Sequence, residues 1–160
     1  MVKGNWALFE EDFYSISLIL QTLMRSAGSR SVMLIDKTGQ LINSIGEPPG
    51  FDVTSFSSLA AADFAANAQL AEMVGEKDFA TLVHQGTNES LYLSLIANRV
   101  ILVVLFDNRT TLGLVRLKMK QTVEELTKLF EQVFNRPPQS QGGAPGLLAG
   151  ADDEIDKLFQ

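Results

Sequence analysis

Side chains able to do chemistry are few in this chain, and their spacing suits catalysis poorly. It has one histidine, His84, and no cysteine. Metal sites built on several imidazoles or thiolates, and the Ser-His or Cys-His pairs that activate a nucleophile, are therefore out of reach. His84 closes a short apolar segment, where a structural or rim role outweighs a catalytic one. Neither a Walker A sequence nor a G-x-G-x-x-G run is present. Asp36-Lys37-Thr38-Gly39 superficially suggests a phosphate loop, but it joins two strand-like segments and opens no helix, so a turn is the better reading. Asp107 could be one half of an acid pair, yet no second acid can be placed beside it. Arg30 and Arg109 could be inserted into a partner's active site as arginine fingers. Arg109, however, follows Asp107-Asn108 in a turn, where pairing with a local carboxylate or carbonyl is the simpler role. The expectation is a binding or regulatory platform with no catalytic residues, cofactor or metal of its own.

Composition agrees with that class. The chain has 160 residues, 46% of them apolar and 20% charged, which suits one globular domain with an appendage. A net charge of −6 argues against a nucleic-acid partner, because phosphate binding needs surplus lysine and arginine. The basic residues Arg116, Lys118 and Lys120 nevertheless fall together, either as a solvated helix face or as a patch for a protein partner. The absence of cysteine fits a reducing compartment. No secretory leader is evident, and the longest apolar run, residues 100–106, is far too short to cross a bilayer. A cytoplasmic protein without membrane insertion is expected.

The elements follow from periodicity. In residues 9–27 a helical stripe of Phe9, Phe13, Ile16, Leu20, Leu23 and Ala27 follows every three or four positions, with Glu10, Glu11 and Asp12 at the end where the helix dipole favours anions. Gly28 is a natural stop. Residues 31–35 and 40–45 read as a hairpin around the turn 36–39. A second helix over 54–74, capped by Asp52 or Thr54, carries a large apolar stripe (Phe56, Leu59 or Ala60, Phe64, Leu70, Val74) and a small one (Ala61, Ala65, Ala68). Small side chains at that spacing let another backbone approach, so self-association or burial in the core is expected of that face. Residues 79–84 are expected to form a third strand at the sheet edge, open to pairing with another copy. Strands 90–96 and 100–106 meet at Ala97-Asn98, the second of them apolar throughout as befits burial on both faces. From Leu112 the period becomes helical through Val115, Met119, Val123, Leu126 and Val133. The order is α-β-β-α-β-β-β-α around one antiparallel sheet.

Character changes after residue 134. Residues 135–150 have the Pro-, Gly- and Gln-rich composition of a flexible linker. Residues 151–160, ADDEIDKLFQ, become purposeful again: Asp152, Asp153 and Glu154 precede Ile155, Leu158 and Phe159, which share one helical face. Ten residues do not hold a helix alone in water. A tethered segment of this kind folds on a partner's groove, unless it frays or docks on its own domain.

The hairpin LIDKTGQLI (34–42), the alanine-rich second helix, the run VILVVLFDNRTTLGLVRLKMK (100–120) and the tail DDEIDKLF (152–159) together resemble the Roadblock (dynein light chain, longin-like) family, and within it the bacterial MglB group. That resemblance implies an α+β fold: a homodimeric sandwich with one five-stranded antiparallel sheet and helices on its faces. It implies a Roadblock domain over 1–134, a linker over 135–150 and an acidic amphipathic segment over 151–160. It further implies a homodimer that activates a small Ras-like GTPase of the MglA type by ordering the GTPase's own catalytic groups, in bacterial polarity and motility, with placement at a cell pole. The dimer surface carried over comprises Ala61, Ala65, Ala68, Gln69, Phe79 and Leu82. The implied GTPase surface comprises Tyr14, Ser15, Arg116, Lys118, Lys120, Gln121, Ile155, Leu158 and Phe159. A non-catalytic Roadblock adaptor that scaffolds polarity or motor proteins is the alternative reading.

Overall fold

The computed structural model describes residues 6–137, and the 138–150 part of the linker and the 151–160 segment, with Ile155, Leu158 and Phe159, lie outside the described residues. The elements are α1 (Glu10–Ala27), β1 (Ser31–Asp36), β2 (Leu41–Gly46), α2 (Val53–Met73), β3 (Thr81–Gln85), β4 (Glu89–Ile96), β5 (Val100–Asp107) and α3 (Leu112–Phe134). One antiparallel sheet runs β2-β1-β5-β4-β3, so the expected α+β order stands and β3 is an edge. No strand pairs with the outer side of β3 among the described residues.

Because side chains alternate along a strand, the apolar central strands divide between two cores. Val32 and Leu34 of β1, Tyr92 and Ile96 of β4, and Val100, Leu102, Val104 and Phe106 of β5 point to α1 and α3. Met33, Ile35, Leu93, Ile101 and Val103 point the other way, to α2. The layers are thus an α1/α3 pair, the sheet, and α2 alone.

Local chemistry sets the element ends. Gly28 closes α1 at φ +67°, donating to Arg25 O, while Ser29 N–H reaches back to Met24 O at 3.1 Å. Thr110 Oγ1 donates to Ala27 O at 2.6 Å and so ties the end of α1 to the approach of α3. Asp52 caps α2 by accepting from Ser55 N–H at 3.2 Å, and Thr111 caps α3 by accepting from Leu114 N–H at the same distance. Gly46, at φ +113°, ends β2 where an added Cβ would lie 2.8 Å from Ser31 Cα.

α1 departs from the expected stripe at its start. Ile16, Leu20, Leu23 and Ala27 are buried, but Phe13 is exposed and Asp12 turns inward in its place. The Asp12 carboxylate accepts from Phe9 N–H at 2.7 Å and receives both guanidinium nitrogens of Arg136 at 2.5 Å. Arg136 also lies over the Phe9 ring, 4.5 Å from its centroid. Beside this clamp Trp6 packs edge-on to Phe130 and Phe134. The first turn of α1 is thereby fastened to the end of α3, which fixes the two helices as antiparallel neighbours.

Burial opposes ionisation of Asp12, but the bonds from Arg136 and Phe9 N–H outweigh it and hold the carboxyl below the usual aspartate range. A carboxyl depressed on folding contributes stability that is complete above its unfolded value of about 4 and is lost as pH falls through the lower folded value. Asp12→Asn is therefore expected to lower stability at neutral pH by about 2 kcal/mol, as loss of a charged hydrogen-bonded pair does. The difference between the two proteins should shrink below about pH 4, read by urea unfolding across pH.

Candidate interaction face

The cover that α2 gives to its side of the sheet is incomplete. Its buried residues are Ser57, Ala60, Ala61 and Phe64, all in the first part of the helix. Beyond Phe64 no residue of α2 is buried, and Leu70, Met73 and Val74 are 60%, 83% and 82% exposed. Leu59 is exposed as well. Of the large apolar stripe read from the sequence, Phe64 is buried and Phe56 partly so, whereas Leu59, Leu70 and Val74 face outward; of the pair Leu59 and Ala60, Ala60 is the buried one. The reason is compositional. The polar residues of α2, such as Ser58, Asp63, Gln69 and Glu72, are spread around the helix and gather into no polar face to mark its outside, so the shape of the sheet beneath decides its rotation. Each large apolar side chain left in water gains about 1.5–3 kcal/mol on full burial, so a partner covering this half-helix has a sizeable driving force.

The alanines lie along one flank. Ala61, Ala65 and Ala68, with Phe64, Phe79 and Leu95, line a groove of about 450 Å³ between α2 and the turns at the near end of the sheet. Ala61 is only 6% exposed and belongs to the core beneath α2, so it supplies the floor of this groove and little of the surface. Ala65 and Gln69 are exposed and Ala68 is half-buried, all in the unsupported half of the helix. Phe79 and Leu82 are half-buried, and Phe79 stacks on Phe64 with centroids 5.0 Å apart. On the opposite flank, His84 Nε2 lies 2.5 Å from Asp63 Oδ2 and fastens α2 to the β3 edge. The alanine groove and the β3 contact thus lie on opposite flanks of α2, with Leu70 and Val74 on the Asp63 side of the helix.

The remaining candidate residues sit on the other side of the sheet. Tyr14 and Ser15 are exposed near the start of α1. Arg116, Lys120 and Gln121 are exposed and Lys118 half-buried near the start of α3. Since α1 and α3 run antiparallel, these two groups lie toward opposite ends of the helix pair, roughly 10–15 Å apart at 1.5 Å per residue. They do not gather into a single pocket.

The two arginines with a possible catalytic use are both engaged. Arg109 Nε donates to Asp107 Oδ1 at 3.0 Å, and its terminal nitrogens reach Glu47 Oε1 at 3.1 Å. Arg30 Nε donates to Glu47 at 3.0 Å, and Arg30 also pairs with Glu89. The hydrogen bond from Arg109 holds the Asp107 carboxyl below its ordinary range, and those from Arg30 and then Arg109 do the same for Glu47. This clasp joins the ends of β1, β2, β4 and β5. Among the described residues no group of three acidic or histidine side chains converges as a metal site would require, and no helix is long and apolar enough to cross a membrane. What the sequence reading missed was the exposed tip of α2; the signal was the lack of any polar residue at Leu70, Met73 and Val74, where a solvated helix end would carry one.

Comparison with known proteins places this geometry. The chain is 46% identical to Myxococcus xanthus MglB, whose structure it matches with a TM-score of 0.72 over 75% of this chain and 98% of that one. It matches the gliding protein MglB of Thermus thermophilus at 28% identity and a TM-score of 0.76, covering 82% and 99% of the two chains. An uncharacterized protein of Methanocaldococcus jannaschii is 30% identical over 72% of this chain and 99% of its own length. Residues 16–106 match the Roadblock/LC7 domain. By that match, and by a sheet with α2 on one face and α1 and α3 on the other, the chain belongs to the Roadblock/LC7 family.

Proposed function

We propose that this protein is a homodimeric activator of a small Ras-like GTPase of the MglA type, serving cell polarity and motility without an active site of its own. The observation that carries the proposal is the unsupported apolar half of α2 beside the free edge of β3, in a chain close to MglB structures, one of which has a tetrameric arrangement. A second copy applied across the β3 edge would extend the sheet and bring two α2 helices together, covering Leu70, Met73 and Val74 on both chains at once. The dimer then presents the α1/α3 faces of both copies to the GTPase, on the side of the sheet away from the α2 seam. Tyr14, Ser15, Arg116, Lys118, Lys120 and Gln121 are the polar side chains proposed to meet the GTPase. Ile155, Leu158 and Phe159 form a second, tethered contact, which raises effective concentration without enlarging the main interface.

Activation by such a platform works through positioning. Phosphoryl transfer requires little covalent chemistry from protein groups, so binding the competent arrangement of the GTPase better than its resting one lowers the barrier. The engagement of Arg30 and Arg109 with Glu47, Glu89 and Asp107 favours this over an inserted arginine. The site would be cytoplasmic, at a cell pole.

Multiple-turnover GTP hydrolysis by an MglA-type GTPase is expected to accelerate when the full chain is added. Unchanged turnover with binding confirmed in the same samples would leave a scaffolding adaptor in place of an activator. Arg109→Ala should retain the stimulation; a fall approaching the roughly 10³–10⁵-fold worth of an arginine finger would overturn the positioning mechanism. Ala65→Arg and Leu70→Arg, both at exposed positions of one chain, should yield a folded monomer by circular dichroism and light scattering. A dimer that survives both substitutions would remove this face as the seam.

A further inference from the structure

The outer surface of the α1/α3 pair carries a second groove, on the side of the sheet away from α2. Leu18, Thr22 and Ser26 of α1 form one wall, and Lys118, Gln121 and Glu125 of α3 form the other. Leu18 is 46% exposed on its rim, and Leu117, one turn of α3 before Gln121, is exposed as well. Arg25 borders the same wall of α1, adjoining Leu18, Thr22 and Ser26. Arg25 and Lys118 make no ion pair among the described residues, in contrast to Arg30, Arg109 and Arg136. The groove therefore combines exposed leucine with uncommitted positive charge at one end, and has Glu125 toward the other.

We infer that this groove is the docking site of the chain's own acidic segment, residues 151–160. Charge and pattern match along the length. Asp152, Asp153, Glu154 and Asp156 supply the anions for Arg25 and Lys118, and Lys157 follows them as a counterpart for Glu125. Ile155, Leu158 and Phe159 supply the apolar face for Leu18 and Leu117. The point of departure also suits it. Arg136 is clamped to Asp12, so the chain leaves the domain beside the first turn of α1. From Asp12 to Thr22 along α1 is roughly 15 Å at 1.5 Å per residue. A chain of the linker composition found between 137 and 151 has an expected root-mean-square reach of roughly 20 Å, enough to span that distance. Docking on the same chain thus has a high effective concentration in its favour, offsetting the weakness expected of so short a segment. The segment lies across Lys118 and Gln121 when docked, and an incoming partner that uses those residues must displace it. The inference concerns the segment and the groove alone and does not rest on the GTPase reading.

The test uses the full chain. Because the sequence has no cysteine, Gln160→Cys provides a unique site for a nitroxide label. Amide signals of Leu18, Thr22, Lys118 and Gln121 should lose most of their intensity in the oxidised sample and regain it on reduction, while those of Ala62 and Leu70 on the far side of the sheet stay sharp. Adding Leu18→Asp and Lys118→Glu to the labelled chain should restore the groove signals with the rest of the spectrum unchanged. Uniform intensities, or broadening confined to α2, would overturn the inference. Mixing labelled chain of natural isotopic abundance with unlabelled ¹⁵N chain separates the remaining case: broadening that arises only across chains would assign the groove to a second copy and overturn docking on the segment's own chain.

Discussion

Strand β5 sends apolar side chains to both faces of the sheet, so each face needs a cover of its own, and the two covers are unequal. On one face α1 and α3 lie side by side, clamped at one end by Asp12 and Arg136 and at the other by Thr110 and the carbonyl of Ala27. On the other face α2 crosses alone and leaves its second half over no core of its own. A sheet of five strands is wider than one helix can shield. The surplus apolar surface at the tip of α2 arises where that helix runs past the core beneath it, and the unpaired edge of β3 follows from its place at the end of the strand order. A fold that needs a second surface to complete its burial is suited to assembly.

The polar side chains support the same view. Where the chain has arginines with the shape of catalytic fingers, carboxylates at neighbouring strand ends occupy them: Arg30 and Arg109 share Glu47, and Asp107 or Glu89 completes each set. The clasp draws together strand ends from both halves of the sheet and spends its charge on architecture. His84, the one histidine, fastens α2 to β3 through Asp63. What remains free is a set of surfaces: an apolar one on α2, and a basic, leucine-bearing one on α1 and α3. The two lie on opposite sides of the sheet, so covering one leaves the other open.

Much of this architecture was legible before any coordinates. Strands β4 and β5, the turn at Ala97-Asn98, the stop at Gly28 and the cap at Asp52 each follow from local rules of alternation, left-handed backbone and side-chain capping, which act within a few residues. The pairing of Arg109 with Asp107 was legible for the same reason, since the two are neighbours in one turn. Glu47, the second partner of Arg109, is distant in sequence and was not foreseeable. Nor was the inward turn of Asp12, whose partner Arg136 lies at the far end of the domain; without that partner, periodicity alone favours Phe13 at the buried position.

The sequence by itself determined the element order and the two-sided burial of β5, because those depend on periodicity and short-range backbone chemistry, and its motifs carried the resemblance to the family. Only the tertiary structure decided which way α2 faces, which of its alanines reach the surface and which arginines are engaged. Rotation of an amphipathic helix is encoded by contrast between its faces, and α2 has almost none. Its orientation is set by the side chains of the sheet below it, which come from β1, β4 and β5 together and which no single segment carries.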